Sequence, residues 1–318
     1  MNRESRAADA AIGTPRGRAR LPALRRQLGE CIVLPAVATL LPWPLAWRTM
    51  RALTAREHFF GPETLRAQPI CDAQGFVPDA PLWRRQYRLT RAVDHVDPAI
   101  SALRSDRWMG RHLRVEGDPV PSGPSVFVGF HYGTGFWSLR HLRRLGHRVS
   151  FVSAPVDPAH WRDEPLRLAF IRWRQANVAR AGGAPVIYVG GSSDKIRAAL
   201  RAGTSVLGLI DVPEATTSTV TVRLLGRDAR FPDGLLRIGV SERVPLIGYV
   251  ASLDAGTGAR CLRFTRLPDD PAKALHALAA LLDEAIRADP AAWHFWSEWP
   301  RLAVRVTDLR DDGTAGLG

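Results

Sequence analysis

From about residue 124 onward, short apolar runs alternate with amphipathic stretches, and this alternation constrains the fold more than any other feature of the chain. The runs SVFVGF (125–130), RVSFVSA (148–154), PVIYV (185–189), SVLGLI (205–210), VTVRLL (220–225), PLIGYVA (245–251) and CLRFT (261–265) have the length and side-chain content of strands. Between them lie helical stretches. KIRAALRA has Ser193 or Asp194 at its cap and Gly203 past its end, and PAKALHALAALLDEAIRA spans 271–288 behind Pro271. Strands alternating with helices predict an α/β fold, a mixed, largely parallel sheet flanked by helices on both faces. Residues 51–120 read as mainly helical, with Pro81 and Pro98 placed near helix starts, where a missing amide does no harm.

In such sheets ligands gather at the carboxyl ends of strands. Two apolar runs end directly in a titratable residue: SVFVGF runs into His131 and SVLGLI into Asp211. If those strands are parallel, both side chains emerge on one rim. Around the first, GFHYGTGFW (129–137) holds Gly129, Gly133 and Gly135, which leave room for close approach of a substrate. A histidine titrating near neutrality takes the proton from an attacking hydroxyl. The competing reading is a histidine that only hydrogen-bonds at a strand end.

The amino-terminal region has a different character. Arg16, Arg18, Arg20, Arg25 and Arg26 precede CIVLPAVATLLPWPLAW (31–47), which carries no charge. That length is the lower edge of a bilayer-spanning helix, and Pro35, Pro42 and Pro44 interrupt a straight one. No small-x-small site marks a cleaved signal peptide. The preferred reading is an interfacial or shallowly inserted anchor, with Trp43 and Trp47 at headgroup level and the basic flank toward a cytoplasmic leaflet. A buried core helix is the alternative. The chain then divides into a membrane-associating segment (1–50), an α/β domain (51–310) and a polar tail (311–318) expected to fray.

The net charge of +13 comes almost wholly from arginine, since Lys195 and Lys273 are the only lysines. It reflects either a nucleotide-composition bias or attraction to an anionic surface. No helix-turn-helix, zinc-finger or RNA-recognition signature accompanies it, so nucleic acid rests on charge alone. Cys31, Cys71 and Cys261 lie far apart in no metal-like or disulfide-like spacing, which suits reduced thiols and a cytoplasmic setting.

The string apolar strand–His–x–Gly resembles the first motif of the lipid A late acyltransferases (lauroyl and myristoyl acyltransferases), a branch of the lysophospholipid acyltransferase-like proteins. In that motif an Asp or Glu follows five positions after the His, but position 136 here is Phe136. Three readings follow: a distant carboxylate (Asp211, Glu214 or Asp157) serves His131, the histidine works alone, or the protein binds without catalysis. Further blocks resemble the family in the same order over 95–300. VDHVDPAISALRSDRWMGRHLRVEG is similar to the stretch before the family's histidine. RAGGAPVIYV resembles a block whose arginine belongs to the active site, which gives that role to Arg180, with Arg174 as the alternative. Such a guanidinium clamps a phosphate or steadies an oxyanion. LRAGTSVLGLIDVPE resembles the block that ends in Asp-x-Pro, which gives Asp211 an active-site role, although Asp-x-Pro is also ordinary turn chemistry. TVTVRLLGRDARFPDGLLRIGVSERVPLIGYV follows as strand, Gly226, a loop with Pro232 and Gly234, helix and strand. DPAAWHFWSEWPRL is similar to the closing Trp-rich block, with Glu298 and Trp299 where an arginine pair is usual.

The resemblance implies an acyltransferase on the cytoplasmic face of a bacterial inner membrane. It would move a fatty acyl chain from acyl carrier protein or acyl-CoA to a hydroxyl or amine of a lipid or glycolipid, with His131 as general base. Asp211 and Arg180 would act beside it, and Gly133, Phe136, Trp137, Arg174 and Glu214 would contact substrate. Neither a metal nor a bound cofactor is expected. The alternative is a non-catalytic lipid- or carrier-binding relative, for which Phe136 is the supporting feature.

Overall fold

The computed structural model describes residues 20–213 and 219–304. Helix α1 (Arg20–Leu28) continues through a π-helical stretch, Gly29–Val33, into α2 (Leu34–Leu40), and Pro42 starts α3 (Trp43–Thr54). Next come α4 (Gly61–Asp72), the long α5 (Ala80–Leu103) and α6 (Asp106–Arg111). Then follow β1 (Leu113–Gly117), β2 (Val126–Gly129), α7 (Trp137–Arg144), β3 (Val149–Ser153), α8 (Pro165–Gly182), β4 (Ile187–Tyr188), α9 (Ser193–Arg201) and β5 (Ser205–Leu209). The rest comprises β6 (Thr219–Leu224), β7 (Arg227–Pro232), α10 (Gly234–Ser241), β8 (Leu246–Leu253), β9 (Arg260–Arg266), α11 (Pro271–Ala288) and α12 (Trp299–Leu302). Local chemistry sets several starts. The Asp79 carboxylate accepts from Leu82 N at 2.9 Å, and that of Asp270 from Lys273 N at 2.7 Å.

Seven strands form one sheet in the order β1-β9-β8-β2-β5-β3-β4. Every pairing is parallel except β8 with β9, so the sheet is mixed and largely parallel, as the alternation predicts. Strand β2 is central and buried throughout, and its side chains alternate between two layers. Val126 and Val128 face a core shared with α10 and α11, whereas Phe127 faces one shared with α2, α3, α5 and α7.

Three expectations change. Residues 227–232 are not a loop but strand β7, which pairs with β6 in a separate two-stranded sheet. Leu225 (φ 52°) and Gly226 (φ 76°) make the two-residue turn between them, and buried Ala229 and Phe231 alternate with exposed Arg230. Pro98 stands inside α5 rather than near a helix start. Having no amide, it leaves the Asp94 carbonyl four residues back without its helical donor, and Arg174 Nη1 takes that carbonyl at 3.1 Å.

The third change concerns the amino-terminal segment. Trp43 and Trp47 are buried in the core instead of lying at a surface, because their indole N–H groups find Thr257 O at 3.1 Å and Gly256 O at 3.0 Å. Helix α3 runs past residue 50 without a break. Glu30 is buried and paired with Arg167 of α8, and Arg26 pairs with Glu164 at 2.8 Å. Burial pushes the Glu30 carboxyl up against the pull of Arg167. The outward side of the segment is apolar: Leu21, Leu24, Leu28, Ile32, Val33, Leu40 and Leu45 are exposed. Among the described residues no helix is long and apolar enough to cross a membrane. Arg16, Arg18 and the tail 311–318 lie outside the described residues.

Candidate active site

Adjacent strands β2 and β5 run parallel with Gly129 opposite Leu209, so the residues two positions further on, His131 and Asp211, leave the sheet together. The His131 Nδ1 lies 2.9 Å from Asp211 Oδ1, and the His131 backbone N–H donates to both carboxylate oxygens at 3.0 and 2.9 Å. Trp293 Nε1 donates to Oδ2 at 3.0 Å. Asp211 is fully buried. Burial alone would push its carboxyl up, but the His131 charge, the His131 hydrogen bonds and the Trp293 indole outweigh it and hold the group below the usual carboxylate range. A carboxylate can only accept, which assigns a hydrogen to Nδ1, and in the neutral ring Nε2 is then the proton acceptor. The ring of Phe295 lies flat on the imidazole, with centroids 3.8 Å apart and planes within 10°. The His131 side chain keeps 30% of its exposure, which leaves it open to a reactant.

A third chain segment completes this arrangement. Asp289 caps the turn Pro290–Ala292, accepting from Ala291 N at 3.1 Å. The turn lays the following residues along the loop after β2: Gly133 N donates to Ala292 O, and His294 N to His131 O, each at 2.8 Å. The His294 Nε2 sits 2.8 Å from Gly133 O and its Nδ1 2.9 Å from Arg91 Nη1. The carbonyl accepts and the guanidinium donates, so the ring is neutral with its hydrogen on Nε2. Burial, followed by the nearby Arg91, depresses His294 to about 3. Arg91 is thereby fixed at the wall of the site.

His131 opens on a cavity of about 300 Å³. Phe136, Leu139, Phe151, Val178 and Leu209 give it an apolar lining, while Arg91 and Arg174 bring two guanidinium groups. Asp94 holds Arg174 through both carboxylate oxygens, at 3.0 and 3.2 Å, besides the carbonyl that Pro98 frees. Such a site combines a proton acceptor, fixed cations that can meet developing negative charge, and space for an alkyl chain. Among the described residues no three His, Cys, Asp or Glu side chains are placed to hold a metal ion.

Several residues expected here are elsewhere. Trp137 is fully buried in the core, with the Arg260 guanidinium 4.3 Å from its ring centroid, because it opens α7 on the side facing the sheet. Arg180 lines a different depression. On α8, Arg174 and Val178 share the face toward His131, whereas Asn177, Arg180 and Ala181 face away. Phe136 does line the cavity, with the Arg174 guanidinium 6.0 Å from its ring centroid. Asp157 is exposed and caps a short turn through Ala159 N at 2.9 Å. Glu214 lies outside the described residues.

The glycines serve the protein before any ligand. A Cβ at Gly129 would run into the Tyr249 ring, and one at Gly133 (φ 63°) into the Ala251 carbonyl. Arg91, Asp94, Tyr249, Trp293, His294 and Phe295 were not singled out from the sequence. The one available signal was the density of tryptophan after Asp289, which marks a packed segment without saying what it packs against. No family model matches the chain, and no curated protein matches it.

Proposed function

We propose that this chain is an acyltransferase that moves an acyl group from a thioester to a hydroxyl or amine of a lipid or glycolipid at a membrane surface. The observation that carries this reading is the dyad of His131 and buried Asp211 opening on an apolar cavity. The cavity suits an acyl chain, and no serine or cysteine nucleophile lines it among the described residues except Ser138 and Ser153. Of these, Ser138 donates its hydroxyl to Gly135 O at 2.7 Å and Ser153 to Ala154 O at 3.1 Å. Direct transfer with a general base therefore fits better than a covalent acyl-enzyme.

In this reading His131 Nε2 takes the acceptor's proton as its oxygen or nitrogen attacks the thioester carbonyl. Asp211 stabilises the imidazolium that forms, and Arg91 or Arg174 meets the oxyanion. Collapse breaks the carbon–sulfur bond, and the departing thiolate recovers the proton from Nε2. The resemblance to the lipid A late acyltransferases supports the same chemistry, with Asp211 supplying the carboxylate that Phe136 cannot. Acyl carrier protein or acyl-CoA is the donor it implies. Peripheral attachment to the cytoplasmic face of a bacterial inner membrane is supported by the exposed apolar side of α1 to α3, flanked by exposed Arg25 and Arg48.

The test is transfer of labelled acyl chain from acyl carrier protein or acyl-CoA to a lipid extract, in the wild type and His131→Ala. Transfer abolished by the substitution in a folded protein is the expected result. Absence of transfer from either donor, with lipid binding retained, overturns the catalytic reading in favour of a lipid- or carrier-binding protein.

A further inference from the structure

On the far side of α7 and α8 from His131 lies a second depression, of about 450 Å³. Its lining includes Arg104, Arg140, Arg143, Arg144 and Arg180, with Asp106 as its one acidic residue. Three helices, α5, α7 and α8, end here, so part of the positive charge answers their carbonyl ends. Arg140 Nη1 donates to Ser101 O at 2.5 Å and Arg104 O at 2.8 Å, and Arg143 Nη1 to Arg180 O at 2.8 Å. Arg140 also pairs with Asp106.

Capping does not account for all of the charge. A helix carboxyl end carries about half a negative charge, so these three ends, the α2 end that Arg104 caps and Asp106 leave an excess of roughly two positive charges. The surplus sits on identifiable groups. The Arg144 side chain makes no hydrogen bond or ion pair among the described residues, and the Arg180 side chain is exposed and bonds only within its own helix, to Asn177 Oδ1 at 3.2 Å. Arg104 is engaged elsewhere: its Nη2 donates to Leu41 O at 2.9 Å, at the carboxyl end of α2, and its guanidinium lies 5.2 Å from the Trp108 ring centroid.

We infer that this arginine basin is a binding site for a phosphate-bearing ligand of two or more negative charges, a phosphomonoester or diphosphate. Guanidinium forks match phosphate oxygens two at a time, and the surplus charge exceeds what one carboxylate neutralises. The site lies roughly 10 Å along α5 from the cavity at His131, seven residues at the helical rise from Asp94 to Ser101. It stands without the acyl-transfer reading, since it rests on charge and geometry at residues that reading does not use.

Calorimetric titration of the full chain with inorganic pyrophosphate tests it. We expect one site, weakened roughly tenfold or more by Arg144→Gln with Arg180→Gln, because two charge-assisted bonds are lost. Arg227→Gln with Arg230→Gln, exposed on β7, should leave it unchanged. Thermal melting without ligand checks that both variants fold, and Arg144→Gln alone, which breaks no bond, carries the test if the pair does not. Sedimentation with phosphatidylcholine vesicles, with and without phosphatidic acid, separates the sources. If the Arg144 and Arg180 pair also weakens capture of the acidic vesicles, the phosphate is a lipid headgroup. If only pyrophosphate binding falls, it is a soluble ester. No pyrophosphate binding by the wild type, or equal loss in both variant pairs, overturns the site.

Discussion

The imidazole of His131 and the carboxylate of Asp211 meet at 2.9 Å across 80 residues of chain, because each stands two positions past a directly paired residue of adjacent parallel strands. Their meeting is a consequence of strand register, and a one-residue slip of β5 would send the carboxylate to the opposite face. Asp211→Asn keeps the shape but replaces one of two accepting oxygens with a donating NH2 and removes the charge that stabilises the imidazolium. We expect acyl transfer to fall about 10²–10⁴-fold, mainly in kcat. Steady-state kinetics on the purified variant checks this, and undiminished turnover would remove Asp211 from the chemistry.

Trp293 gives Asp211 its remaining hydrogen bond, from Nε1 to Oδ2 at 3.0 Å. Trp293→Phe retains an aromatic ring but leaves a buried carboxylate oxygen one donor short. A loss of about 1–3 kcal/mol in unfolding free energy is expected, measured by urea titration. Unchanged stability would mean that the ring, rather than its N–H, is what matters there.

Acid should loosen the site through His294. The folded chain holds this ring neutral, down to about 3, whereas the unfolded chain protonates it near 6.5. The unfolded state therefore binds the extra proton between those values. Stability from this group is complete above about pH 6.5 and falls as pH drops toward 3, by about 1.4 kcal/mol per unit. Arg91, Asp94 and His131 are the charged and titratable groups that face this ring. Comparison with His294→Gln isolates the effect: the variant should show a shallower decline in urea stability over that range. Equal slopes would contradict it.

Arg260 and Asp97 form a fully buried pair beneath the amino-terminal helices. The guanidinium also lies 5.1 Å from the Trp43 ring centroid and 4.3 Å from that of Trp137. Burial lifts Asp97 to about 6 against the pull of its partner. Arg260→Met should cost about 3–5 kcal/mol, because it leaves an uncompensated buried acid. Adding Asp97→Leu should recover much of that loss. A double variant as unstable as the sum of the two singles would show that the pair is not coupled.

Much of this architecture was legible locally. The apolar runs became β2, β3, β4, β5, β6, β8 and β9, Pro271 opens α11, and Gly203 ends α9 at φ 78°, because period, caps and backbone freedom act over a few residues. His131 and Asp211 at strand ends were likewise visible, together with their shared rim. The Ala229 and Phe231 alternation of β7 was also present in the sequence but was overshadowed by Pro232 and Gly234.

Tertiary structure decided the rest. Hydrophobic patterning says that a face is buried, not what covers it, so an uncharged stretch with Trp43 and Trp47 reads equally as anchor or core until Gly256 and Thr257 are placed against it. Arg180 and Arg174 differ only in the angle at which α8 docks, which no local spacing reveals. The segment around His294 reaches His131 from more than 150 residues away, folded there by side-chain and backbone bonds that form only once the sheet exists. Composition and spacing determined the strands and the two residues at their ends. Packing between distant segments determined which partners those residues have.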